Sequence, residues 1–180
     1  MKVLPTPLAG LVRLVPVCHR DDRGTFVESW NAERYAAAGI PAAFVQDNLS
    51  RSRRGVLRGL HYQLRRPQGK LITVIRGAAF DVAVDLRRGS PTFGRWHGTL
   101  LSDDNHEQMW VPPGFAHGFL ALADAVDVVY KVSAPRDPDD ARVLRWDDPD
   151  VGVAWPLSSP PLLSPADAAG ARLADAEVYP

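Results

Sequence analysis

The sequence has a single cysteine and lacks the marks of a secreted or membrane-spanning chain. Cys18 has no partner for an intramolecular disulfide, which is typical of a reducing compartment. Pro5, Pro7 and Arg13 interrupt the N-terminal apolar residues before they reach the length of a signal-peptide core. No later apolar run is long enough to cross a bilayer. These absences predict a cytoplasmic location and no membrane partner.

An excess of either charge is also missing, since 21 Lys and Arg residues balance 21 Asp and Glu residues. This balance gives no reason to expect nucleic acid as a partner. The balance fails locally, because the stretch 48–80 contains Arg and Lys residues but no Asp or Glu. Such a basic block is usually a solvated face, and it equally suits the lining of an anion site.

The glycine-rich phosphate motifs are absent as well. There is no G-x-x-x-x-G-K-[ST], and no G-x-G-x-x-G between a strand and a helix, so a nucleotide would be held by side chains. Arginine suits that task because its planar guanidinium matches phosphate and keeps its charge. The candidates for a diphosphate clamp are Arg23, Gln46, Asn48 and Arg58.

Closely spaced histidines, which metal sites in β-barrels commonly use, are missing too. His61 is followed by Tyr62 and Gln63, and no close histidine pair occurs elsewhere. A metal-dependent barrel enzyme with His61 and His117 as ligands is therefore the weaker alternative. We expect no metal and no cofactor.

The sequence does contain many short apolar runs, rich in Val and Phe and separated by turn residues, which predict an all-β sandwich or barrel. The expected architecture is one domain, residues 1–180, built as a cupin-like jelly-roll barrel with a concave mouth and a few short helices. Arg76-Gly77 is predicted to connect two long strands as a hairpin. The predicted strands are residues 11–17, 25–29, 43–47, 56–63, 71–75, 79–85, 94–101, 108–111, 118–123 and 127–132.

Helices are predicted at only two places. One covers residues 32–38, with Asn31 as its N-cap and Gly39 as its stop, and the other follows Ser164 with a proline at its first position. The sixteen prolines, several of them in WPLSSPPLLSP, predict that the last quarter of the chain wraps over the β-core.

One strand, RGVLRGLHYQ at residues 54–63, carries Arg58 and His61 among apolar neighbours. Charged groups on a buried surface need partners. A cavity that binds a ligand would supply them.

A series of ordered segments is similar to the dTDP-4-dehydrorhamnose 3,5-epimerase family between about residues 10 and 170. The segments are DDRGTFVES, FVQDNLSRSRRGVLRGLHYQ, QGKL, DVAVDLRRGSPTFGRW, VPPGFAHGFLAL, VVYK, RWDDPDVGVAWP and LLSPAD. The resemblance implies a cupin-like jelly roll, a homodimer and metal-free epimerisation of a dTDP-4-keto-6-deoxyhexose at C3 and C5.

The resemblance also implies catalytic roles. His61 would be the base, Asp167 its carboxylate partner, Lys70 the cation that stabilises the enolate, and Tyr130 the proton donor on the far face. The residues alone leave alternatives. Ser164 to Asp167 fits a helix-capping arrangement, which the sequence by itself favours, Lys70 fits a surface hairpin, and Tyr130 fits a core aromatic.

The resemblance further implies the substrate-binding residues, some of which belong to the neighbouring subunit in this family. Those expected to hold the nucleoside diphosphate are Arg23, Glu28, Gln46, Asn48 and Arg58. His117 is expected to contact the substrate.

Two positions depart from the family pattern near the nucleotide base. Pro135 and Arg136 stand where the family usually has a tyrosine pair, and His19 stands where an aromatic residue is common. Because both Arg and His can stack on a base, a dTDP-sugar remains the expected substrate, with another nucleotide as the alternative. A 3- or 5-monoepimerase and a non-catalytic sugar-nucleotide-binding module are the other readings left open.

Overall fold

Two antiparallel β-sheets form most of the structure, a computed structural model that describes residues 1–40 and 43–180. The strands are β1 Lys2–Pro5, β2 Val12–Val15, β3 Cys18–Asp21, β4 Gly24–Val27, β5 Gln46–Ser52, β6 Leu57–Gln63, β7 Lys70–Arg76, β8 Ala78–Asp85, β9 Trp96–Ser102, β10 Gln108–Val111, β11 Phe115–Ala121, β12 Val126–Val132 and β13 Ala141–Val143. The helices are α1 Ala32–Ala37 and α2 Pro165–Ala168. No helix of the described chain is long and apolar enough to span a membrane.

One sheet has six strands in the order β1-β2-β10-β7-β12-β5, and the other has five in the order β13-β6-β11-β8-β9. Strands β3 and β4 form a separate two-stranded hairpin. Strands that are distant in sequence are neighbours in both sheets, as in a jelly roll. The predicted all-β, cupin-like jelly-roll class is confirmed.

The principal core lies between the sheets, where Ile72, Phe115 and Phe119 pack with the other members of a buried apolar cluster. A second cluster joins the outer face of the five-stranded sheet to the C-terminal segment, in which Val151, Ala176 and Tyr179 are buried. The last quarter of the chain therefore covers the β-core, as its prolines predicted. Apart from β13, that segment forms isolated bridges outside the named strands, such as Val56 to Leu162.

The hairpin predicted at Arg76-Gly77 is wrong. Both strands exist, but β7 lies in the six-stranded sheet and β8 in the five-stranded one, so the chain changes sheets at Gly77. Gly77 has φ +74°, and a Cβ there would lie 2.4 Å from the carbonyl oxygen of Ala125. A glycine is needed here because the turn is left-handed and another backbone passes close to it.

The strand predicted at residues 43–47 is displaced, since β5 begins at Gln46 and continues to Ser52. Its inward-facing row is polar, namely Gln46, Asn48, Ser50 and Ser52. These residues alternate with exposed ones, so the strand has the period of a β-strand without its usual apolar face. A polar row of this kind is what a strand needs when it borders a cavity and not the core.

Strands β6 and β11 approach each other closely enough to require glycine. A Cβ on Gly118 would lie 2.5 Å from the carbonyl oxygen of Arg58, and the two strands shift register between His117 and Phe119. We expect Gly118→Ala to lower the free energy of unfolding by about 1–3 kcal/mol, because backbone would have to move to admit the methyl group. Gly89→Ala, where nothing lies within 4 Å, is the matched control. Denaturant titration of both variants measures the difference.

Candidate active site

A cavity of about 450 Å³ is lined by residues from both sheets. Asn48, Lys70 and Tyr130 come from the six-stranded sheet, and His61 comes from β6 of the five-stranded sheet. None of the residues that line the cavity is an aspartate or a glutamate. The cavity is therefore basic and suited to a ligand that carries negative charge.

His61 is partnered by a buried carboxylate. Its side chain is 48% exposed, and its Nε2 lies 2.5 Å from Oδ1 of Asp167, whose side chain is only 5% exposed. With the proton on Nε2 donated to Asp167, the lone pair of the imidazole is at Nδ1. The pair thus fixes a tautomer that can accept a proton from a ligand.

Asp167 is also part of the capping arrangement that its sequence context favours. Ser164 is the N-cap of α2, and its hydroxyl accepts from the Asp167 amide at 3.1 Å while donating to Oδ2 of Asp167 at 2.7 Å. The Gly59 amide donates to Oδ1 at 3.3 Å. Burial raises the pKa of Asp167, but the hydrogen bonds from His61, Ser164 and Gly59 outweigh it and lower the pKa overall. The cap and the histidine partner are therefore the same residue.

Lys70 lies in the cavity wall and not on a surface hairpin. Its residue is 9% exposed, and its Nζ donates to the carbonyl oxygen of His61 at 3.0 Å. Burial lowers the pKa of Lys70 to about 8, although the nearby Asp81 acts in the opposite direction. The ammonium group is therefore charged at neutral pH and loses its proton under mildly alkaline conditions.

Tyr130 faces the cavity from β12, in the sheet opposite to His61. Burial raises the pKa of Tyr130 well above its usual value. The phenol is therefore protonated at neutral pH and available as a donor. It lies level with Asn48 of β5, its partner in the antiparallel ladder.

His117 is placed behind the cavity wall. It is 3% exposed and stands opposite His61 in the β6–β11 ladder. Its Nε2 lies 2.9 and 3.0 Å from the two carboxylate oxygens of Asp81, and its ring is 6.0 Å from that of Tyr130. Burial lowers the pKa of His117, against the effect of Asp81. The structure does not place its side chain in the cavity lining.

Asp81 is a site residue that the sequence analysis missed. It is fully buried in β8, where its neighbours Phe80 and Val82 are apolar. A charged residue inside the apolar run AAFDVAVD is the signal that could have found it, because a buried carboxylate needs partners. Its partner here is His117.

The expected nucleotide-binding residues separate into two groups. In the first group Asn48 lines the cavity and accepts at 2.7 Å from Gln46, while Arg58 lies outside the lining and donates to Ser52 Oγ at 2.9 Å. Arg23 and Glu28 do not reach this cavity within the subunit. Their side chains form exposed ion pairs, Arg23 with Asp21 at 2.6 Å and Glu28 with Arg34 at 2.8 Å.

The residues offer no evident set of metal ligands. Across positions 1–40 and 43–180, no three His, Cys, Asp or Glu side chains are grouped so as to hold a metal ion. The two histidines of the metal-dependent alternative each face a carboxylate of their own, Asp167 for His61 and Asp81 for His117. That alternative has no geometric support in the described residues.

Comparison with known proteins agrees with this geometry. The family model described as dTDP-4-dehydrorhamnose 3,5-epimerase matches residues 5–175. The chain is 49% identical to the dTDP-4-dehydrorhamnose 3,5-epimerase of Pseudomonas aeruginosa, over 100% of both chains. It is also 40% identical to the dTDP-4-dehydrorhamnose 3-epimerase of Streptomyces niveus, over 98% of this chain and 86% of that one.

A solved structure from Legionella pneumophila is similar throughout. It is a dTDP-6-deoxy-D-glucose-3,5-epimerase in complex with dTDP-4-keto-L-rhamnose, with a TM-score of 0.95, 46% identity and coverage of 98% of this chain and 94% of that one. Sequence and fold thus agree over nearly the whole chain, and the chain belongs to the dTDP-4-dehydrorhamnose 3,5-epimerase family.

Proposed function

We propose that this protein epimerises a dTDP-4-keto-6-deoxyhexose at C3 and C5 through an enolate. The observation that carries the proposal is the placement of His61 and Tyr130 on opposite sheets, across one cavity. Inversion requires that a proton leave one face of the sugar ring and that another arrive at the opposite face. Two titratable groups on facing walls meet that requirement.

The ketone at C4 acidifies the C–H bonds at C3 and C5, because the electron pair left by the proton is delocalised onto the ketone oxygen. His61 takes the proton at Nδ1, the nitrogen that Asp167 leaves free. Asp167 holds the ring in position and stabilises the imidazolium that forms. No redox step is involved, since the electron pair stays within the sugar.

The enolate oxygen needs a positive charge nearby. The ammonium group of Lys70, on the same wall of the cavity as Tyr130, supplies this charge. Tyr130 then returns a proton to carbon from the face opposite His61. Its raised pKa keeps the phenolic proton in place until the enolate accepts it. His117 supports the site from behind the wall.

The substrate class is supported by the relatives. The Legionella enzyme was solved with dTDP-4-keto-L-rhamnose, and the names of both curated relatives specify a dTDP-4-dehydrorhamnose epimerase. Deoxysugar biosynthesis, either of rhamnose or of an antibiotic sugar, is the setting that we propose. The single free cysteine, Cys18, supports a cytoplasmic location.

We also propose that residues 1–180 form one domain and that the enzyme is a homodimer. Arg23 and Glu28 lie away from the cavity of their own subunit, in and beside the β3–β4 hairpin. A partner's hairpin would bring these residues to the site. Size-exclusion chromatography with light scattering should give twice the chain mass, and a monomer would contradict the proposal.

Proton exchange tests the proposed function directly. In deuterium oxide, without added metal, the enzyme should exchange the C3 and C5 protons of dTDP-4-keto-6-deoxyglucose for deuterium, as measured by NMR. Absence of exchange at both carbons, in protein that still binds dTDP, would support a non-catalytic binding module and overturn the proposal.

A 3-monoepimerase is the second candidate, and the 40% identity to the Streptomyces niveus 3-epimerase favours it specifically. Both activities use the same base and acid, so the fold does not separate them. Exchange and inversion at C3 without any at C5 would select the monoepimerase.

The pH profile should report Lys70. Because its ammonium loses a proton at about pH 8, turnover should fall as the pH rises through that value. Asp81→Asn removes the charge that raises the Lys70 pKa, so the alkaline limb should move to lower pH. An alkaline limb that stays in place in this variant, with its fold intact by circular dichroism, would exclude Lys70 as its origin.

A further inference from the structure

Three glutamine side chains hold the loop that follows β12. Gln68 donates to the carbonyl oxygen of Ala134 at 2.7 Å, and Gln63 donates to that of Pro135 at 3.2 Å. Gln63 also accepts from the amide of residue 137 at 2.9 Å, and Gln46 accepts from the amide of residue 136 at 3.0 Å. We name Gln46, Gln63 and Gln68 the glutamine clamp. It fixes the backbone on both sides of Arg136.

Among the described residues that line the cavity, Arg136 is the basic side chain that has no partner within the protein. Of the other basic side chains there, Lys70 donates to the His61 carbonyl and Arg142 pairs with Glu177 at 2.7 Å. Within residues 1–40 and 43–180, Arg136 forms no ion pair. A rigid backbone thus presents an exposed guanidinium to a cavity whose lining has no acidic residue to neutralise it.

The position of Arg136 relative to the proposed chemistry suggests its ligand. Tyr130 is level with Asn48, and Gln46, which holds the amide of Arg136, is two residues further along β5. Arg136 and Tyr130 line the same cavity, so a diphosphate attached to a sugar ring held at Tyr130 can lie against Arg136. The planar fork of a guanidinium matches phosphate oxygens.

We propose that Arg136 binds the diphosphate of the substrate and that the glutamine clamp preorganises it for this purpose. The inference rests on the proposed function, since it takes the ligand to be a nucleoside diphosphate sugar. It differs from the family resemblance, which sets this position beside the base. The charge of the cavity favours the diphosphate.

Gln46 takes a different part from the one that the sequence analysis gave it. Both ends of its amide are engaged within the protein, Oε1 by the Arg136 amide and Nε2 by Asn48 at 2.7 Å. It is therefore a positioning residue that acts through Arg136. Preorganisation of this kind improves affinity by reducing what must be ordered on binding.

Calorimetry with dTDP, UDP and thymidine as probes tests the assignment. Arg136→Ala should weaken dTDP and UDP binding equally, by about 10-fold or more, which is the effect of losing a charge-assisted contact. Thymidine affinity should not change, and the steady-state effect should fall on KM with kcat preserved. Arg95→Ala, which removes an exposed arginine outside the cavity lining, is the matched control.

Each other outcome has a definite meaning. An equal loss of dTDP and thymidine affinity would place Arg136 on the base and overturn the inference, as would a dTDP affinity within twofold of the wild type. Wild-type protein that binds none of the probes would instead contradict the proposed function itself.

A double-mutant cycle tests the clamp. Gln46→Ala should weaken dTDP binding in the wild-type background and have no further effect beside Arg136→Ala, because it acts through that side chain. Additive losses would show that Gln46 acts on nucleotide binding by another route, either directly or through Asn48, and would overturn its role as the residue that positions Arg136.

Discussion

Replacing His61 with asparagine should slow the exchange of the C3 and C5 protons by about 10²- to 10⁴-fold, the usual contribution of a general base. Asparagine can still donate a hydrogen bond to Asp167, so the buried carboxylate keeps a partner. It cannot accept a proton from carbon. NMR measurement of deuterium incorporation in deuterium oxide gives the rate at each carbon separately.

The control for this variant is the binding of dTDP, which should stay within about twofold of the wild type, since the proposed reaction places His61 at the sugar and not at the nucleotide. The melting temperature should change little, because the side chain is 48% exposed. A His61→Asn protein that exchanges both protons at the wild-type rate would remove His61 from the role of base.

The sequence predicted the fold class because it contains many short apolar runs, rich in Val and Phe and separated by turn residues. The prediction failed where no apolar run marked the strand and where the run did not show its pairing partner. Strand β5 has a polar inward row, Gln46 to Ser52, and so was placed too early. The connection at Gly77 was predicted as a hairpin because an apolar run does not show which strand it pairs with.

The site was predictable only in part. His61 among apolar neighbours signalled a cavity, but its partner Asp167 lies 106 residues away and fits a helix cap equally well. Only the ordered family segments singled out Asp167 as the partner of His61. The structure shows why the local sequence fitted two interpretations, since the carboxylate contacts both His61 and the helix N-cap Ser164. The sequence did not reveal Asp81 or the glutamine clamp, because the role of a buried acid or amide depends on contacts with residues that are distant in the sequence.

Tyr130→Phe should separate the two halves of the reaction. Without the phenolic proton, inversion at C3 and C5 should fall by about 10²- to 10⁴-fold. Deuterium incorporation should continue with retention of configuration, because His61 on the opposite wall can remove a proton and return a deuteron to the same face. NMR of the sugar, read for both configuration and deuterium content, distinguishes the two processes in one sample.

Tyr35→Phe is the matched control, because that buried phenol donates to Gln108 at 2.6 Å and lies outside the cavity lining. It should leave inversion unchanged, so any effect of Tyr130→Phe reflects its position and not the loss of a tyrosine hydroxyl as such. Inversion at the wild-type rate in Tyr130→Phe would mean that another donor serves the far face. Loss of exchange together with inversion would mean that Tyr130 is needed to form the enolate and not only to protonate it. The exchange rate that remains in Tyr130→Phe is therefore the decisive quantity. Inversion can fail while exchange continues only if the acid and the base lie on opposite walls of the cavity.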